Sequence, residues 1–311
     1  MKLFSMEIKM DKRIIIFLPI FAGVFWGSGG VFVRILNDFG MNSISILSTR
    51  IILASILLFS GLILFDRDSL KIKLKDIWLF IGSGIIGVML LNLCYNEAAF
   101  NLTLSLAAVL LSLAPIFAMI ISSILFKEKI TPKKLFCLAL AIFGCILVSG
   151  VLESTSALPW SLGGLIFGLL SALFWALYGI FSKLSTEKGY STNTTLFYSF
   201  LFITIILLPV TDWTCFASFI TSNPMANIPF AFGHTLFTCI CPYLLFTTSI
   251  LYIENGRAVI LCGGAEPISA TIFGCLIFSE TPTFLNIIGI IITIIALSVL
   301  ILSNESKEAI E

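Results

Sequence analysis

Glu266 stands in the stretch Cys262-Gly263-Gly264-Ala265-Glu266-Pro267, inside an apolar run from about 257 to 279. A charged side chain in hydrocarbon costs about 2.5–3.5 kcal/mol or more, so such groups face a cavity or a partner. Pro267 withholds a backbone donor, and Gly263 and Gly264 leave room beside the chain, so the motif predicts a helix break carrying an acid. Three roles are open to Glu266: a neutral carboxyl, a partner for a basic group, or a contact for a cationic substrate. The other ionisable groups in apolar runs are Arg50, Glu97 and His234, with Arg34 at the end of the first run. Pairing of Glu97 with Arg50 or Arg34 would lower the cost of burying both and make a charge lock or gate. His234 titrates near neutrality and raises proton coupling, with simple hydrogen bonding as the alternative. Asn92 and Asn96 lie one helical turn apart. Trp26, Trp175, Tyr95, Tyr178 and Tyr243 offer aromatic surface, the tyrosines with hydroxyl handles. These groups, with Gly30, make up the candidate substrate cavity.

Hydrolytic, redox and metal chemistry find little support. The chain has a single histidine, and all of its eight cysteines except Cys215 lie in apolar segments, where cysteine packs as a small hydrophobe. No metal-ligand spacing occurs. Gly27-Ser28-Gly29-Gly30 is not a dinucleotide fingerprint, because Phe32 takes the third glycine's place and no strand precedes it. No catalytic residue, metal or cofactor is expected. A net charge of +1 argues against a nucleic-acid partner. Without a nucleotide-binding loop, any work must draw on a gradient.

The elements that position these groups are membrane helices. Of 311 residues, 59% are hydrophobic and only 11% charged, too few to cover a water-facing surface. Ten apolar segments long enough to span a bilayer fall at about 14–36, 44–65, 77–99, 105–126, 133–151, 161–182, 193–210, 228–250, 257–279 and 284–303. With the N-terminus in the cytoplasm, every Lys and Arg except Arg34 and Arg50 falls on the cytoplasmic side. That positive-inside bias makes the chain a multi-pass membrane protein with both termini in the cytoplasm.

The chain also repeats. Phe25-Trp26-Gly27 through Arg34 aligns with Phe174-Trp175-Ala176 through Lys183 at an offset of 149, and Pro115 and Glu128 align with Pro267 and Glu280 at 152. Each half, 1–151 and 152–311, holds five segments, so the second enters the membrane inverted. The expected fold is all-α, ten transmembrane helices in two inverted five-helix repeats around a central cavity, an arrangement common in secondary transporters. Gly27, Pro115, Gly179, Gly263, Gly264 and Pro267 are the expected helix-break and packing positions. The Gly23-x-x-x-Gly27 and Gly164-x-x-x-Gly168 spacings are those of packed membrane helices.

Together these features resemble the drug/metabolite transporter superfamily, specifically chains with two EamA-type domains. The carriers are Phe25-Trp26-Gly27 with Arg34, Arg50, Tyr95-Asn96-Glu97-Ala98-Ala99, Ser112-Leu113-Ala114-Pro115 with Glu128, and Gly264-Ala265-Glu266-Pro267 with Glu280. The resemblance implies an inner-membrane carrier whose cavity is lined largely by segments 1, 3, 4, 6, 8 and 9, exporting or exchanging small metabolites, often amino acids. Ser199 replaces the second-half counterpart of Arg50, a departure from the paired pattern. A carrier for a cationic or nucleoside-type metabolite such as S-adenosylmethionine is the alternative within transport. A non-transporting receptor or assembly subunit is the alternative outside it. Small-molecule substrate and lipid bilayer are the expected partners; the oligomeric state stays open.

Overall fold

A computed structural model describes residues 15–125, 131–149, 161–250 and 255–308, with the single positions 152 and 252. Glu128 and both chain termini, whose orientation the charge pattern addressed, lie outside the described residues. Ten long helical stretches make up the bundle. They are α1 (Phe17–Asp38), α2 (Ser43–Phe65), α3 (Leu74–Asn101), α4 (Leu104–Leu111 continued by Ala114–Leu125), α5 (Pro132–Val148), α6 (Leu162–Glu187), α7 (Thr192–Leu207), α8 (Pro224–Ser249), α9 (Asn255–Phe278) and α10 (Phe284–Glu308). No strand occurs among the described residues. Eight of these helices are long and apolar enough to cross a membrane. The two shorter ones, α5 and α7, have 17 and 16 residues, and 16 residues rise only about 24 Å.

Helices are the answer that hydrocarbon allows, because every backbone donor and acceptor must find its partner within the segment. The starts are set by short polar caps. Asn42, Thr103, Ser161 and Ser191 each accept from the amide three residues on, opening α2, α4, α6 and α7. Leu64, Ile124, Leu276 and Phe136 are exposed on the outside of the bundle, while Ser48, Ser83, Ser171 and Ser199 are fully buried. That polarity is the reverse of a water-soluble protein's and suits a lipid surroundings. The inner hydroxyls are satisfied locally, as where Ser48 donates to the Ile44 carbonyl at 2.7 Å.

Glycines set the closest helix contacts. A side chain at Gly23 would meet Ala265 Cβ at 2.8 Å, and one at Gly27 would meet the Glu266 carbonyl at 2.6 Å. The Gly23-x-x-x-Gly27 face of α1 is therefore seated on the part of α9 that carries Glu266. Gly168 of α6 sits equally tightly on Leu110 of α4, with Leu110 Cβ at 3.1 Å. Two glycines have positive φ, Gly40 at 89° and Gly189 at 86°. Each follows a helix end closed by a matching amide, Met41 N to Leu36 O and Tyr190 N to Ser185 O, both 3.1 Å.

Three features depart from the sequence reading. The connection expected over 211–227 is mostly helical: Trp213–Ser222 forms a short helix, and α8 starts at Pro224. Asp212 caps the short helix, accepting from the Thr214 hydroxyl and from the amides of Cys215 and Thr214, which hold its carboxyl below the usual range. Helix breaks also occur in only some of the expected places. α1 is interrupted at Ser28 beside Gly27, and α4 at Ser112–Leu113 just before Pro115. In contrast, α9 runs unbroken through Gly263, Gly264 and Pro267, and α6 through Gly179. A side chain at Gly263 would meet nothing within 4 Å, and Pro267 leaves the Gly263 carbonyl without its helical amide inside a continuous helix. Finally, Gly82–Met89 of α3 and Leu236–Ile240 of α8 are π-helical. In the first, Gly82, Gly84 and Gly87 press against Phe181, Ser199 and Tyr178.

Replacing Gly23 by Val should lower the thermal unfolding midpoint in detergent, at a cost of about 1–3 kcal/mol for overpacking. Gly179→Ala, which meets nothing within 4 Å, should not lower it. Scanning fluorimetry of the two purified variants checks this.

Candidate functional site

A cavity of about 530 Å³ lies inside the bundle. Trp26, Asn92, Tyr95, Trp175, Tyr178, Tyr243 and Glu266 of the sequence candidates line it, together with Gly179, Gly263, Gly264 and Pro115. Helices α2, α7 and α10 contribute as well, through Arg50 and Ile51, Thr192 and Phe200, and Ile294 to Ile301. The wall is thus wider than the six segments the resemblance implied. The lining reaches Ser182, Thr192, Ile250 and Val259, at the helix ends that adjoin Lys183, Lys188 and Arg257.

Aromatic rings form one side of it. The Trp26 ring meets Tyr243 edge-on at 5.2 Å and Trp175 at 6.1 Å, and Trp175 stacks on Tyr178 at 5.3 Å and 13°. Such pairs add about 0.5–1.5 kcal/mol each beyond their buried area and hold the wall rigid. Glu266, half-buried on α9, has no hydrogen-bond or ion-pair partner among the described residues. Arg50 is buried at 6% exposure and is held by two neutral acceptors. Its Nη1 donates to Thr238 Oγ1 at 3.1 Å, and its Nη2 donates to Asn92 Oδ1.

Three sequence candidates stand outside the lining. Gly30 is packed beneath Leu104 and the Tyr95 hydroxyl, where no ligand fits. Asn96 is fully buried and donates to the Ser43 carbonyl at 3.3 Å. His234 is 1% exposed and stacks on Phe32 at 5.1 Å and 15°. Depth along a helix was legible for each; the face it turns to was set by neighbours.

The expected pairing of Glu97 with Arg50 or Arg34 does not form. Glu97 accepts from the Ser43 hydroxyl at the start of α2. Arg34 instead reaches across to Glu280, beyond the end of α9, at 2.5 Å. It also donates to the carbonyls of Ala99, at 2.7 Å, and Leu102, and its guanidinium carbon lies 4.9 Å from the Phe278 ring centre. Glu280 accepts in turn from the Leu104 amide at the N-terminus of α4, at 3.0 and 3.2 Å. An anion there is favoured by the helix dipole. The turn that delivers it uses Ser279 at φ 55°, with the Glu280 amide closing on Gly274 O at 3.0 Å. Glu280 lies over Gly274, whose missing side chain makes the space. The ends of α1, α3, α4 and α9 are thus tied in one knot, at the end of the bundle away from the lysines. Glu280 is the residue that sequence reasoning undervalued: its repeat spacing marked it, but no role followed. Thr238 had no signal at all.

The family model described as the EamA-like transporter family matches residues 13–150 and 162–302. An uncharacterized transporter of Archaeoglobus fulgidus is 29% identical over 58% of this chain; the match spans 60% of that protein's own length. A protein of Fusobacterium nucleatum named riboflavin transporter ImpX is 26% identical over 76% of this chain and 81% of its own. A protein of Chlamydia muridarum named S-adenosylmethionine/S-adenosylhomocysteine transporter is 25% identical over 89% of each.

Arg34 and Glu280 are largely sheltered, with side-chain exposures of 16% and 11%. Removing either partner, by Arg34→Gln or Glu280→Gln, is expected to cost about 3 kcal/mol, because the other charge is left unpaired. The double variant should lose less than the sum, with a coupling of about 1 kcal/mol or more. A double-mutant cycle on thermal stability measures it.

Proposed function

We propose a function from one established premise: the chain belongs to the EamA-like transporter family. It is a multi-pass membrane transporter and not an enzyme. Our reading is a secondary-active carrier in the plasma membrane, with both termini in the cytoplasm. It moves a small organic metabolite, an amino acid or related compound, by export or exchange through alternating access. The observation that carries it is Glu266: an acidic side chain without a partner among the described residues, on the wall of a largely apolar and aromatic cavity; on this reading the Arg34–Glu280 pair closes the outer end.

Alternating access asks for two halves able to rock about a shared site, and inverted repeats supply them. Residues 149 apart meet one another at several points, which supports that architecture. Trp26 touches Trp175, the hydroxyl of Ser55 meets that of Thr204 at 3.0 Å, and Gly144 is pressed against Thr293. Residues related by a two-fold axis touch only where the axis passes between them. The positive-φ glycines Gly40 and Gly189 share the same spacing, and the two π-helical segments fall in the third helix of each half. Units 1–151 and 152–311 are therefore our choice of repeats. On this reading the structure is closed on the outer face, and its cavity extends toward the cytoplasm. The repeat also puts Lys183 and Glu128 where the other half has Arg34 and Glu280.

A cationic or nucleoside-type metabolite such as S-adenosylmethionine is the second reading, favoured by the unpaired acid beside aromatic rings. The Chlamydia relative's name agrees with it. His234, if proton coupling occurs, has to act from behind Phe32 and not from the cavity wall.

Purified protein in liposomes loaded with an amino-acid mixture or with S-adenosylmethionine should show counterflow of the matching labelled compound. Glu266→Gln should reduce it at least tenfold while the folded yield is kept. Wild-type counterflow in that variant would remove Glu266 from the mechanism, and none in the native protein would remove the carrier reading.

A further inference from the structure

Two opposite charges share the cavity wall without meeting. Arg50 and Glu266 both line it, yet they form no ion pair with each other, and neither has any other ion-pair partner among the described residues. Arg50 is aimed, not loose. Thr238, which takes its Nη1, donates its own proton to the His234 carbonyl at 2.6 Å. Asn92, which takes its Nη2, is fixed by a 2.7 Å bond from its amide nitrogen to the Val88 carbonyl. Both acceptors are neutral, and the buried Nε has no partner. At the other site, Glu266 lines the cavity beside Gly263, whose carbonyl is left without its helical amide by Pro267. One site offers donors under a full positive charge. The other offers acceptors under a negative one.

An uncompensated charge in such surroundings is costly, and the cost is relieved by a counter-charge. A singly charged ligand would relieve one site and leave the other exposed. A dipolar ion relieves both. Resting on the carrier reading above, we propose that the cavity selects a zwitterion, with an anionic group received by Arg50 and an ammonium or comparable cation by Glu266. Neither charge has a counterpart in the other half, where Ser199 and Ala114 occupy the equivalent positions. The two charged side chains of the lining thus stand without counterparts, which gives the site a direction in which to orient a dipole. Transport of such a ligand alone moves no net charge.

The test is a charge series on full-length protein in nanodiscs, read by thermal shift and titration. The dipolar probes are the twenty amino acids and S-adenosylhomocysteine. Each stabilising probe is compared with its decarboxylated amine and its N-acetyl acid. At least one dipolar probe should stabilise the protein, with both truncated forms about tenfold or more weaker, a difference of about 1.4 kcal/mol. Arg50→Gln should erase the preference over the amine, Arg50→Lys should retain it in part, and Glu266→Gln should erase the preference over the N-acetyl acid. A merely structural Arg50 would lower stability without changing that preference. The proposal falls if no dipolar probe binds, if amines, acids or neutral probes bind as well, or if Arg50→Gln discriminates like wild type. The native protein's series decides even if a variant fails to fold. Counterflow of a purely cationic or neutral compound would overturn this proposal and leave the carrier reading standing.

Discussion

Hydrocarbon tolerates no idle charge, and the arrangement of this bundle follows from how each ionisable group meets that constraint. Arg34 is the most heavily engaged: Glu280, two backbone carbonyls and a phenylalanine ring surround it. Those contacts gather the ends of α1, α3, α4 and α9. The glycine face of α1 then lies directly on α9 and brings Trp26 and Glu266 to the same wall. Where a charge has a full set of partners, the helices are bound together. Where it has none, at Glu266, or only neutral ones, at Arg50, the wall borders a cavity.

Much of this was legible in the sequence, and the misses share a cause. Apolar runs and the bias of lysines and arginines give depth, so Arg34, Arg50 and Glu97 were recognisable as lying toward one side of the membrane. Depth says nothing about azimuth. Glu97 turns to Ser43 and not to an arginine, and His234 turns to Phe32 and away from the cavity, because the packing of neighbouring helices selects the face. Helix chemistry was equally ambiguous. The glycines and proline of α9 read as a break, yet the helix continues through them from Asn255 to Phe278. The π-helical turns were not foreseeable: that of α3 accompanies the tight seating of Gly84 and Gly87 on Ser199 and Tyr178, a contact between distant helices, and nothing in the pattern of α8 marks its own.

Scaffold and site follow different rules here. Turn glycines, small residues and tryptophans recur at the 149-residue spacing, and Trp26 with Trp175, Ser55 with Thr204 and Gly144 with Thr293 meet one another. Arg50 and Glu266 do not recur. Family membership accounts for the first set.

The knot at Arg34 has a kinetic consequence. Its bonds converge on one guanidinium and one carboxylate, so they cannot be released one at a time without leaving a bare charge behind. On the carrier reading proposed above, parting Arg34 from Glu280 would strip both charges at once, and the waiting time for that step would set a ceiling on turnover.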